Sequence, residues 1–180
     1  YRTATFLKSA AAMGDLPPDN GIEVAFSGCS NAGKSSTLNC LTDNGKLART
    51  SRTPGRTQLI NLFPLADEQH RLVDLPGFGF ANVPNALKRK WQAFIDAFLR
   101  ERTCLKGVVL IMDIRTPLKP FELGMIEWAV AASLPIHLVL NKSDKLSKGA
   151  VKSTEARVLK ALAHIEDDKI SLQSLSCKTK

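Results

Sequence analysis

The chain has 180 residues, 44% of them hydrophobic, which fits one domain with an adequate hydrophobic core. A membrane protein is not expected, because no apolar stretch approaches the roughly 20 residues that span a bilayer, and the segment Thr3 to Met13 is too short and weakly apolar for an export signal. The net charge of +8 favours a polyanionic partner.

Apolar runs of strand length alternate with helical stretches, which predicts a mostly parallel six-stranded sheet covered by helices on both faces. In chain order, the predicted elements are a strand (Ile22 to Phe26), a helix (Lys34 to Thr42), two strands (Leu59 to Leu65 and His70 to Asp74), a helix (Asn85 to Glu101), a strand (Lys106 to Met112), a helix (Pro120 to Ala132), a strand (Ile136 to Leu140), a helix (Gly149 to Ala163) and a strand (Ile170 to Leu175). The second and third strands are joined too tightly for a crossover, so they should pair antiparallel at one edge. We expect residues 1–20 to form an N-terminal extension and residues 21–180 to form one α/β domain.

The loop between the first strand and the first helix has the pattern Gly-x-x-x-x-Gly-Lys-Ser. Such a loop cradles phosphates, because its backbone N–H groups and the helix dipole gather around the anion. In this interpretation Lys34 spans the β- and γ-phosphates and the Ser35 hydroxyl binds Mg²⁺. The predicted phosphate-binding residues are Gly28, Cys29, Ser30, Asn31, Ala32, Gly33, Lys34, Ser35 and Ser36. A glycine-rich turn that matches by chance is the alternative.

A basic segment with little periodicity, from Asp43 to Gln58, is predicted to be a mobile loop. Thr57 is our candidate for a hydroxyl that completes the Mg²⁺ shell only when the γ-phosphate is present, so that the segment becomes ordered with the triphosphate. The alternative is an ordinary turn at Pro54-Gly55, with Thr57 opening the next strand. The predicted nucleotide-binding residues of this segment are Gly55, Arg56, Thr57, Gln58 and Leu59.

The third predicted strand ends in an Asp-x-x-Gly pattern, Asp74-Leu75-Pro76-Gly77. Asp74 can hold the Mg²⁺ shell through water, and the Gly77 N–H can sense the γ-phosphate. The predicted nucleotide contacts here are Asp74, Leu75, Pro76 and Gly77. We assign Lys34, Thr57 and Gly77 to catalysis and Ser35, Thr57 and Asp74 to the metal.

The sequence Asn141-Lys142-Ser143-Asp144 follows an apolar run of strand character and so lies at the carboxyl end of a strand, where open α/β sheets bind ligands. The Asp144 carboxylate can accept hydrogen bonds from guanine N1–H and from the exocyclic amine, a pair that adenine cannot supply. Asn141 would brace the loop and the purine, and the aliphatic stem of Lys142 would cover the base plane. The pattern predicts GTP and GDP as ligands, and a solvated surface turn is the alternative.

The last predicted strand leads into Leu175-Ser176-Cys177-Lys178. A Ser-x-Lys turn there could present backbone N–H groups to the guanine carbonyl, so Leu175, Ser176 and Cys177 join the predicted nucleotide site. An ordinary chain end is the alternative, because Ser and Lys are common there.

In this order, the five elements resemble those of the Ras-like GTPases of the translation-factor class. The segments Gly28 to Ser36, Thr50 to Gln58, Asp74 to Phe80 and Met112 to Arg115 resemble, more specifically, the EngB/YsxC family of bacterial ribosome-assembly GTPases. The resemblance covers nearly the whole chain from Gly21 to Lys178. It implies a P-loop GTPase fold and GTP hydrolysis coupled to maturation of the large ribosomal subunit, with a link to septation in cell division. It also implies rRNA and ribosomal proteins as partners, no DNA or membrane, a monomer, and a cytoplasmic location.

The chain departs from the family pattern at Cys29, where an arginine is usual, and at Phe78 and Phe80, where tyrosines are usual. The phosphate cradle should be intact, because that loop acts through backbone groups. The chain stops at Lys180, so we expect the final helix of the family to be missing.

Four cysteines, Cys29, Cys40, Cys104 and Cys177, show no metal-ligand spacing and no obvious pairing. We therefore expect reduced thiols.

Phe78 directly follows Asp-x-x-Gly, where many GTPases carry a glutamine that orients the attacking water. Phenylalanine cannot position water, so we expect slow intrinsic hydrolysis that a partner accelerates. In related GTPases without that glutamine, an asparagine at this loop position helps to bind K⁺, so the resemblance implies K⁺ near Asn31. Arg56 and Arg115 are less favoured sources of the compensating charge.

Basic residues are concentrated in two segments that should move with nucleotide state. They are Lys46, Arg49, Arg52 and Arg56 in the loop that contains Thr57, and Lys88-Arg89-Lys90 in the helix after Asp-x-x-Gly. GTP would then order a basic surface able to meet rRNA phosphates. A generic basic loop and a solvated helix face are the alternative.

Two other functional classes stay open on the sequence. One is a P-loop kinase or ATPase, against which Asn141 and Asp144 argue. The other is a GTP-binding module without turnover, with which Phe78 is compatible.

Overall fold

In a computed structural model of the protein, residues 1–48, 59–77, 85–165 and 168–178 are described, and residues 85–88, 90 and 91 are described by their backbone alone. The strands are β1 (Lys8–Ala10), β2 (Ile22–Gly28), β3 (Ile60–Pro64), β4 (His70–Asp74), β5 (Leu105–Asp113), β6 (Ile136–Asn141) and β7 (Ile170–Leu175). The helices are α1 (Lys34–Thr42), α2 (Asn85–Glu101), α3 (Pro120–Ala131) and α4 (Lys148–Leu162), with short 3₁₀ turns at Met13–Asp15 and Ser143–Lys145. All the predicted helices and strands are present, and α1, α2, β4 and β7 have the predicted bounds.

The strands form one sheet in the order β1-β3-β4-β2-β5-β6-β7. Four neighbouring pairs are parallel: β4 with β2, β2 with β5, β5 with β6, and β6 with β7. By contrast, β3 pairs antiparallel with both β4 and β1. The predicted α/β fold with an antiparallel edge is therefore confirmed.

The predicted number of strands is wrong, because the sheet has seven strands and not six. The additional strand, β1, lies within the expected N-terminal extension, where Ala10 lies opposite Ile60 of β3 and is fully buried. Just before β1, the Leu7 N–H donates to the Leu62 carbonyl oxygen at 3.0 Å. A strand of three residues is too short to show an alternating pattern in the sequence.

Hydrophobic side chains pack on both faces of the sheet, because alternate residues of a strand point to opposite faces. On one face, Leu110 belongs to a cluster with Phe98 of α2 and Ile126 of α3. On the other face, the next residue, Ile111, belongs to a cluster with Leu38 of α1. Helices thus cover both faces, as predicted. Among the described helices, none combines the length and the apolar character needed to cross a membrane.

A buried ionic cluster closes the amino-terminal end of the parallel strands. Glu23 is fully buried, and its carboxylate accepts hydrogen bonds from Arg71 at 2.9 Å and from Arg102 at 2.7 and 2.9 Å. The Arg102 guanidinium also donates to the carbonyl oxygens of Pro17 at 2.9 Å and Pro18 at 3.3 Å. A buried charge needs such compensation, and the cluster ties the segment before β2 to the sheet.

The carboxyl ends of the parallel strands meet at the opposite end of the sheet. They carry Gly28 of β2, Asp74 of β4, Asp113 of β5, Asn141 of β6 and Leu175 of β7. Asn141 lies level with both Asp113 and Leu175 in the strand register. The sheet therefore gathers at one end the segments predicted to bind a nucleotide.

Candidate nucleotide-binding site

The loop between β2 and α1 requires glycine at two positions. Gly33 has a φ angle of 102°, which side chains rarely adopt, and a Cβ atom there would overlap the side-chain nitrogen of Asn141. A Cβ atom at Gly28 would overlap the carbonyl oxygen of Ile111 in β5. Gly33 is the N-cap of α1 and provides no side-chain cap, so the first turn of this helix is suited to binding an anion.

Lys34 and Asp74 form an ion pair between the start of α1 and the end of β4. The Lys34 ammonium contacts Asp74 Oδ1, and the two side chains are only 10% and 7% exposed. The fold therefore brings together the cation of the phosphate loop and the carboxylate of Asp-x-x-Gly, and the phosphate and Mg²⁺ roles assigned to them stay predictions.

Asp74, in this ion pair, and Ser35, next to Lys34 in the chain, have donor atoms that fit a Mg²⁺ ion. Asp74 supplies a carboxylate and Ser35, half-buried in the first turn of α1, supplies a hydroxyl, and both are oxygen donors of the kind Mg²⁺ prefers. Within the described ranges there is no cluster of three or more His, Cys, Asp or Glu side chains that could hold a metal. A cation here would thus rely on oxygens of the nucleotide or of water as well.

Asn141 links the phosphate loop to the end of β6. Its side-chain N–H donates to the Ala32 carbonyl oxygen at 2.9 Å, and its Oδ1 accepts from the Lys142 N–H at 2.8 Å. The side chain is buried, because Asn141 is only 2% exposed. Asn141 thus braces both loops, and its predicted contact with the purine stays a prediction.

Lys142 spans the space between these two loops. It has a positive φ of 67°, and its ammonium donates to the Asn31 carbonyl oxygen at 2.5 Å and to Asp113 Oδ2 at 2.9 Å. Lys142 thus connects the loop after β6 to the phosphate loop and to Asp113; the use of its stem along the base stays a prediction.

Asp113, at the end of β5, is a site residue that sequence reasoning missed. Its carboxylate accepts from Lys142 and, at 2.9 and 2.6 Å, from the guanidinium of Arg115. These contacts, the Arg115 hydrogen bond first, hold the pKa of Asp113 well below its ordinary value. The available signal was its place in Met112-Asp113-Ile114-Arg115, a carboxylate at a strand end. Asp113 thus pairs with both Lys142 and Arg115, and the Arg115 side chain is 52% exposed.

Asp144 and Ser176 connect the loops after β6 and β7. The Ser176 hydroxyl donates to Asp144 Oδ1 at 3.0 Å, and this hydrogen bond lowers the pKa of Asp144. Ser176 also accepts from the Lys178 N–H at 3.2 Å, as expected for a Ser-x-Lys turn. The structure therefore brings the two segments predicted to read the base into direct contact.

Cys29 lies in the phosphate loop beside Glu122 of α3. Burial, together with the Glu122 carboxylate, raises the pKa of the Cys29 thiol to about 11. Glu122 is fully buried, and its Oε2 accepts from the Lys119 N–H at 2.8 Å. Among the described residues, no group meets hydrogen-bond geometry with Glu122 Oε1. Burial raises the pKa of Glu122 as well.

A family model described as a 50S ribosome-binding GTPase matches residues 23–142, more than half of the chain. A probable GTP-binding protein EngB of Coxiella burnetii (strain CbuG_Q212) is 52% identical over 176 residues, which cover 98% of this chain and 85% of that protein. This chain belongs to the EngB family. Another member, from Shewanella putrefaciens (strain CN-32 / ATCC BAA-453), is 56% identical over 171 residues, which cover 93% of this chain and 78% of the relative.

Solved structures show the same P-loop GTPase fold. A crystal structure of a probable GTP-binding protein EngB has a TM-score of 0.67 over 87% of this chain and 89% of the other, at 22% identity. The structure of an Aquifex aeolicus Era variant bound to GDP and AlF₄⁻ has a TM-score of 0.66 over 86% of this chain and 50% of the other, at 21% identity. As a member of the EngB family with a GTPase domain, the chain is a GTP-hydrolysing enzyme. The ATPase, kinase and turnover-free alternatives are therefore set aside.

Part of the site predicted for this EngB-family chain lies outside the described residues. That part comprises Gly55, Arg56, Thr57, Gln58 and Phe78, together with Arg49 and Arg52 of the basic loop. The other predicted residues lie at the carboxyl ends of the strands or next to them: Ala32, Leu75 and Pro76 are buried, Ser30, Gly77, Ser143, Leu175 and Cys177 are half-buried, and Asn31, Ser36 and Leu59 are exposed. The roles assigned to Thr57 and Arg56 remain predictions.

Proposed function

We propose that this chain binds GTP and GDP at the carboxyl end of its sheet, hydrolyses GTP slowly on its own, and acts as a nucleotide-dependent switch in assembly of the large ribosomal subunit. The main support for the nucleotide site is the pair of hydrogen bonds made by the Asn141 side chain. They join the phosphate loop to the loop that contains Asp144. Support for the ribosomal role comes from the description of the family model and from the basic segments of the chain.

Guanine would be read by Asp144 in this proposal. Like any aspartate of ordinary pKa, Asp144 is ionised at neutral pH, and the Ser176 hydrogen bond lowers its pKa further, so it can accept hydrogen bonds from both N1–H and the exocyclic amine. The Lys142 stem, whose ammonium is fixed on Asn31 and Asp113, would lie along the base. The turn at Ser176 would offer backbone N–H groups to the guanine carbonyl.

The phosphates would be bound by the backbone N–H groups of residues 28–36 and by Lys34. Mg²⁺, when bound, neutralises negative charge on the transferred phosphoryl group. Ser35 and Asp74 would hold it, Asp74 through water, with Thr57 added only for the triphosphate. The Gly77 N–H would sense the γ-phosphate.

K⁺ near Asn31 would supply positive charge at the phosphates. It would compensate for the missing glutamine that orients the attacking water in many other GTPases. The residue after Gly77 is Phe78, which cannot orient water. The exposed side chain of Asn31 is at the phosphate loop, whereas Arg115 is bound to Asp113. We therefore favour K⁺ over Arg115 as the source of charge in this mechanism.

Single-turnover hydrolysis of GTP tests these roles. We expect a slow rate in Na⁺, a faster rate in K⁺, and a further increase with large ribosomal subunits. Asn31→Ala should lose the K⁺ effect and keep GDP binding, whereas Thr57→Ala should weaken Mg²⁺·GTP binding and leave GDP binding nearly unchanged. Equal rates in Na⁺ and K⁺ would exclude the K⁺ role, and equal losses of both nucleotides in Thr57→Ala would make Thr57 structural.

The expected cellular location, oligomeric state and partners follow from this proposed role. A protein that assembles ribosomal subunits would act in the cytoplasm, as a monomer, on rRNA and ribosomal proteins, and would need neither DNA nor a membrane. Sedimentation of the purified chain with large subunits tests the partner.

A further inference from the structure

Asp113 and Lys142 form an ion pair at the carboxyl ends of two neighbouring strands. The Lys142 ammonium lies 2.9 Å from Asp113 Oδ2, and Asp113 lies opposite Asn141 in the register of β5 and β6. Only 11% of the Asp113 side chain is exposed. Solvent and salt screen a covered pair less than an exposed one, so this contact should hold Lys142 more firmly than a surface ion pair would.

The turn after β5 fixes the direction of the Asp113 carboxylate. Its Oδ1 accepts hydrogen bonds from the main-chain N–H of Arg115 at 3.0 Å and from the Nε of the same residue at 2.9 Å. Its Oδ2 accepts from the Arg115 guanidinium at 2.6 Å. The turn is also tied to β6, since the Ile114 N–H donates to the Asn141 carbonyl oxygen at 3.0 Å. The carboxylate therefore presents Oδ2 to Lys142 in a fixed direction.

Lys142 extends this contact into the phosphate loop. Its ammonium donates to the Asn31 carbonyl oxygen at 2.5 Å as well as to Asp113. Asn31 has a positive φ of 64°, a conformation that is uncommon for residues other than glycine. A lysine side chain is flexible and its ammonium is strongly hydrated, so one carbonyl oxygen would hold it weakly. Asp113 adds the charged partner that keeps Lys142 against the loop.

We propose that Asp113 is a positioning residue for guanine-nucleotide binding, because it fixes Lys142 beside the phosphate loop, where the lysine stem can cover the base. The role depends on the proposed nucleotide site, in which residues 28–36 bind the phosphates and the Lys142 stem lies along the base. Asp113 itself does not touch the nucleotide in this arrangement. Its effect passes through Lys142, and Arg115 supports it by orienting the carboxylate.

Asp113→Asn should weaken GDP binding about tenfold. The variant keeps the size of the side chain, but it loses the charge and has one acceptor oxygen in place of two. Lys142→Met, which keeps an apolar stem and loses the charge, should weaken GDP binding by a similar factor. The double variant should bind GDP as weakly as Lys142→Met alone, because the effect of Asp113 passes through Lys142.

Calorimetric titration with GDP, ADP and inosine diphosphate measures these effects on the full chain. Inosine diphosphate lacks the exocyclic amine of guanine, so the ratio of GDP to inosine diphosphate affinity reports how Asp144 reads the edge of the base. Asp113→Asn should leave this ratio unchanged, because Lys142 lies along the face of the base. Asp67→Asn is the matched control, since it makes the same change at an exposed carboxylate beside His70, and it should bind GDP like the unaltered chain.

The outcomes separate the role of Asp113 from the nucleotide site itself. No preference for GDP over ADP in the unaltered chain would defeat the site, whatever Asp113 does. With that preference present, normal GDP binding by Asp113→Asn or by Lys142→Met would overturn the positioning role. A further loss in the double variant would overturn it too, because the effect of Asp113 would then not pass through Lys142. A lower ratio of GDP to inosine diphosphate affinity in Asp113→Asn would place the effect at Asp144 and would also contradict the role.

Discussion

The ammonium of Lys34 is paired with the carboxylate of Asp74, so the phosphate loop and the Asp-x-x-Gly segment are in direct electrostatic contact. Phosphate binding by Lys34 would need to replace this contact and would leave the Asp74 carboxylate close to phosphate oxygens. Mg²⁺ would offset the resulting repulsion, so Mg²⁺ binding and GDP binding should be coupled through this pair.

Asp74→Asn should therefore reduce that coupling. In EDTA the variant should bind GDP about tenfold more tightly than the unaltered chain, because Lys34 is released and the like charge is gone. Added Mg²⁺ should then improve affinity less than it does in the unaltered chain. Calorimetric titration of GDP in Mg²⁺ and in EDTA measures both effects. The control is Asp67→Asn, at an exposed carboxylate beside His70. If Asp74→Asn keeps the Mg²⁺ effect of the unaltered chain, the pair does not couple the two ligands.

Gly33→Ala should disrupt the site through Asn141. A Cβ atom would overlap the Asn141 amide, and the φ of 102° disfavours any side chain, at a cost of about 1–3 kcal/mol in stability. GDP binding should weaken, because Asn141 must leave Ala32. Gly149→Ala is the matched control, since a Cβ there meets no atom within 4 Å and should stabilise α4. Urea unfolding and GDP titration provide the readouts. Normal GDP binding by Gly33→Ala would show that Asn141 can move without loss.

Much of the fold could be predicted because parallel strands are continuous apolar runs. β4, β7 and α2 have the predicted bounds, and for the helix α2 the signal is the helical spacing of its apolar residues in the sequence. By contrast, the buried cluster of Glu23 with Arg71 and Arg102 could not be predicted, since its members are scattered along the chain and resemble ordinary surface charges.

The site motifs could be assigned from local sequence, but their contacts could not. Lys34 and Asp74 are 40 residues apart, and Asn141 and Ala32 are 109 residues apart. Only the sheet register brings these side chains together. Asp113 was missed because its carboxylate serves Lys142 and Arg115, a role that no spacing rule reveals.

Glu122→Gln should flatten the pH dependence of stability. The pKa of Glu122 is raised by burial in the folded chain, so the folded state holds this proton more tightly than the unfolded state. Its contribution to stability is fully present below the unfolded pKa and is lost as pH rises through the folded pKa. The quantity to follow is the urea midpoint of the unaltered chain minus that of the variant. This difference should fall as the pH is raised above the ordinary pKa of a glutamate. A difference between the two that is constant with pH would mean that Glu122 titrates normally.

Asp144→Asn should relax the choice of base. An amide can donate as well as accept, so it no longer matches the two guanine donors and can match xanthine instead. GTP affinity should fall at least tenfold, and affinity for xanthosine triphosphate should rise. Asp67→Asn, the same change at an exposed carboxylate beside His70, is the control. Unchanged GTP binding by Asp144→Asn would mean that residues 141–144 are only a surface turn.

The central claim, a GTP-dependent switch on the large ribosomal subunit, is tested most directly by subunit binding at several salt concentrations. With a non-hydrolysable GTP analogue the chain should bind large subunits more tightly than with GDP, and binding should weaken steeply with salt. Replacing Lys88, Arg89 and Lys90 with Gln should flatten this salt dependence and leave GDP affinity unchanged, whereas the same charge change at the exposed Lys152, Arg157 and Lys160 of α4 should not. Equal binding with the GTP analogue and with GDP would contradict the account.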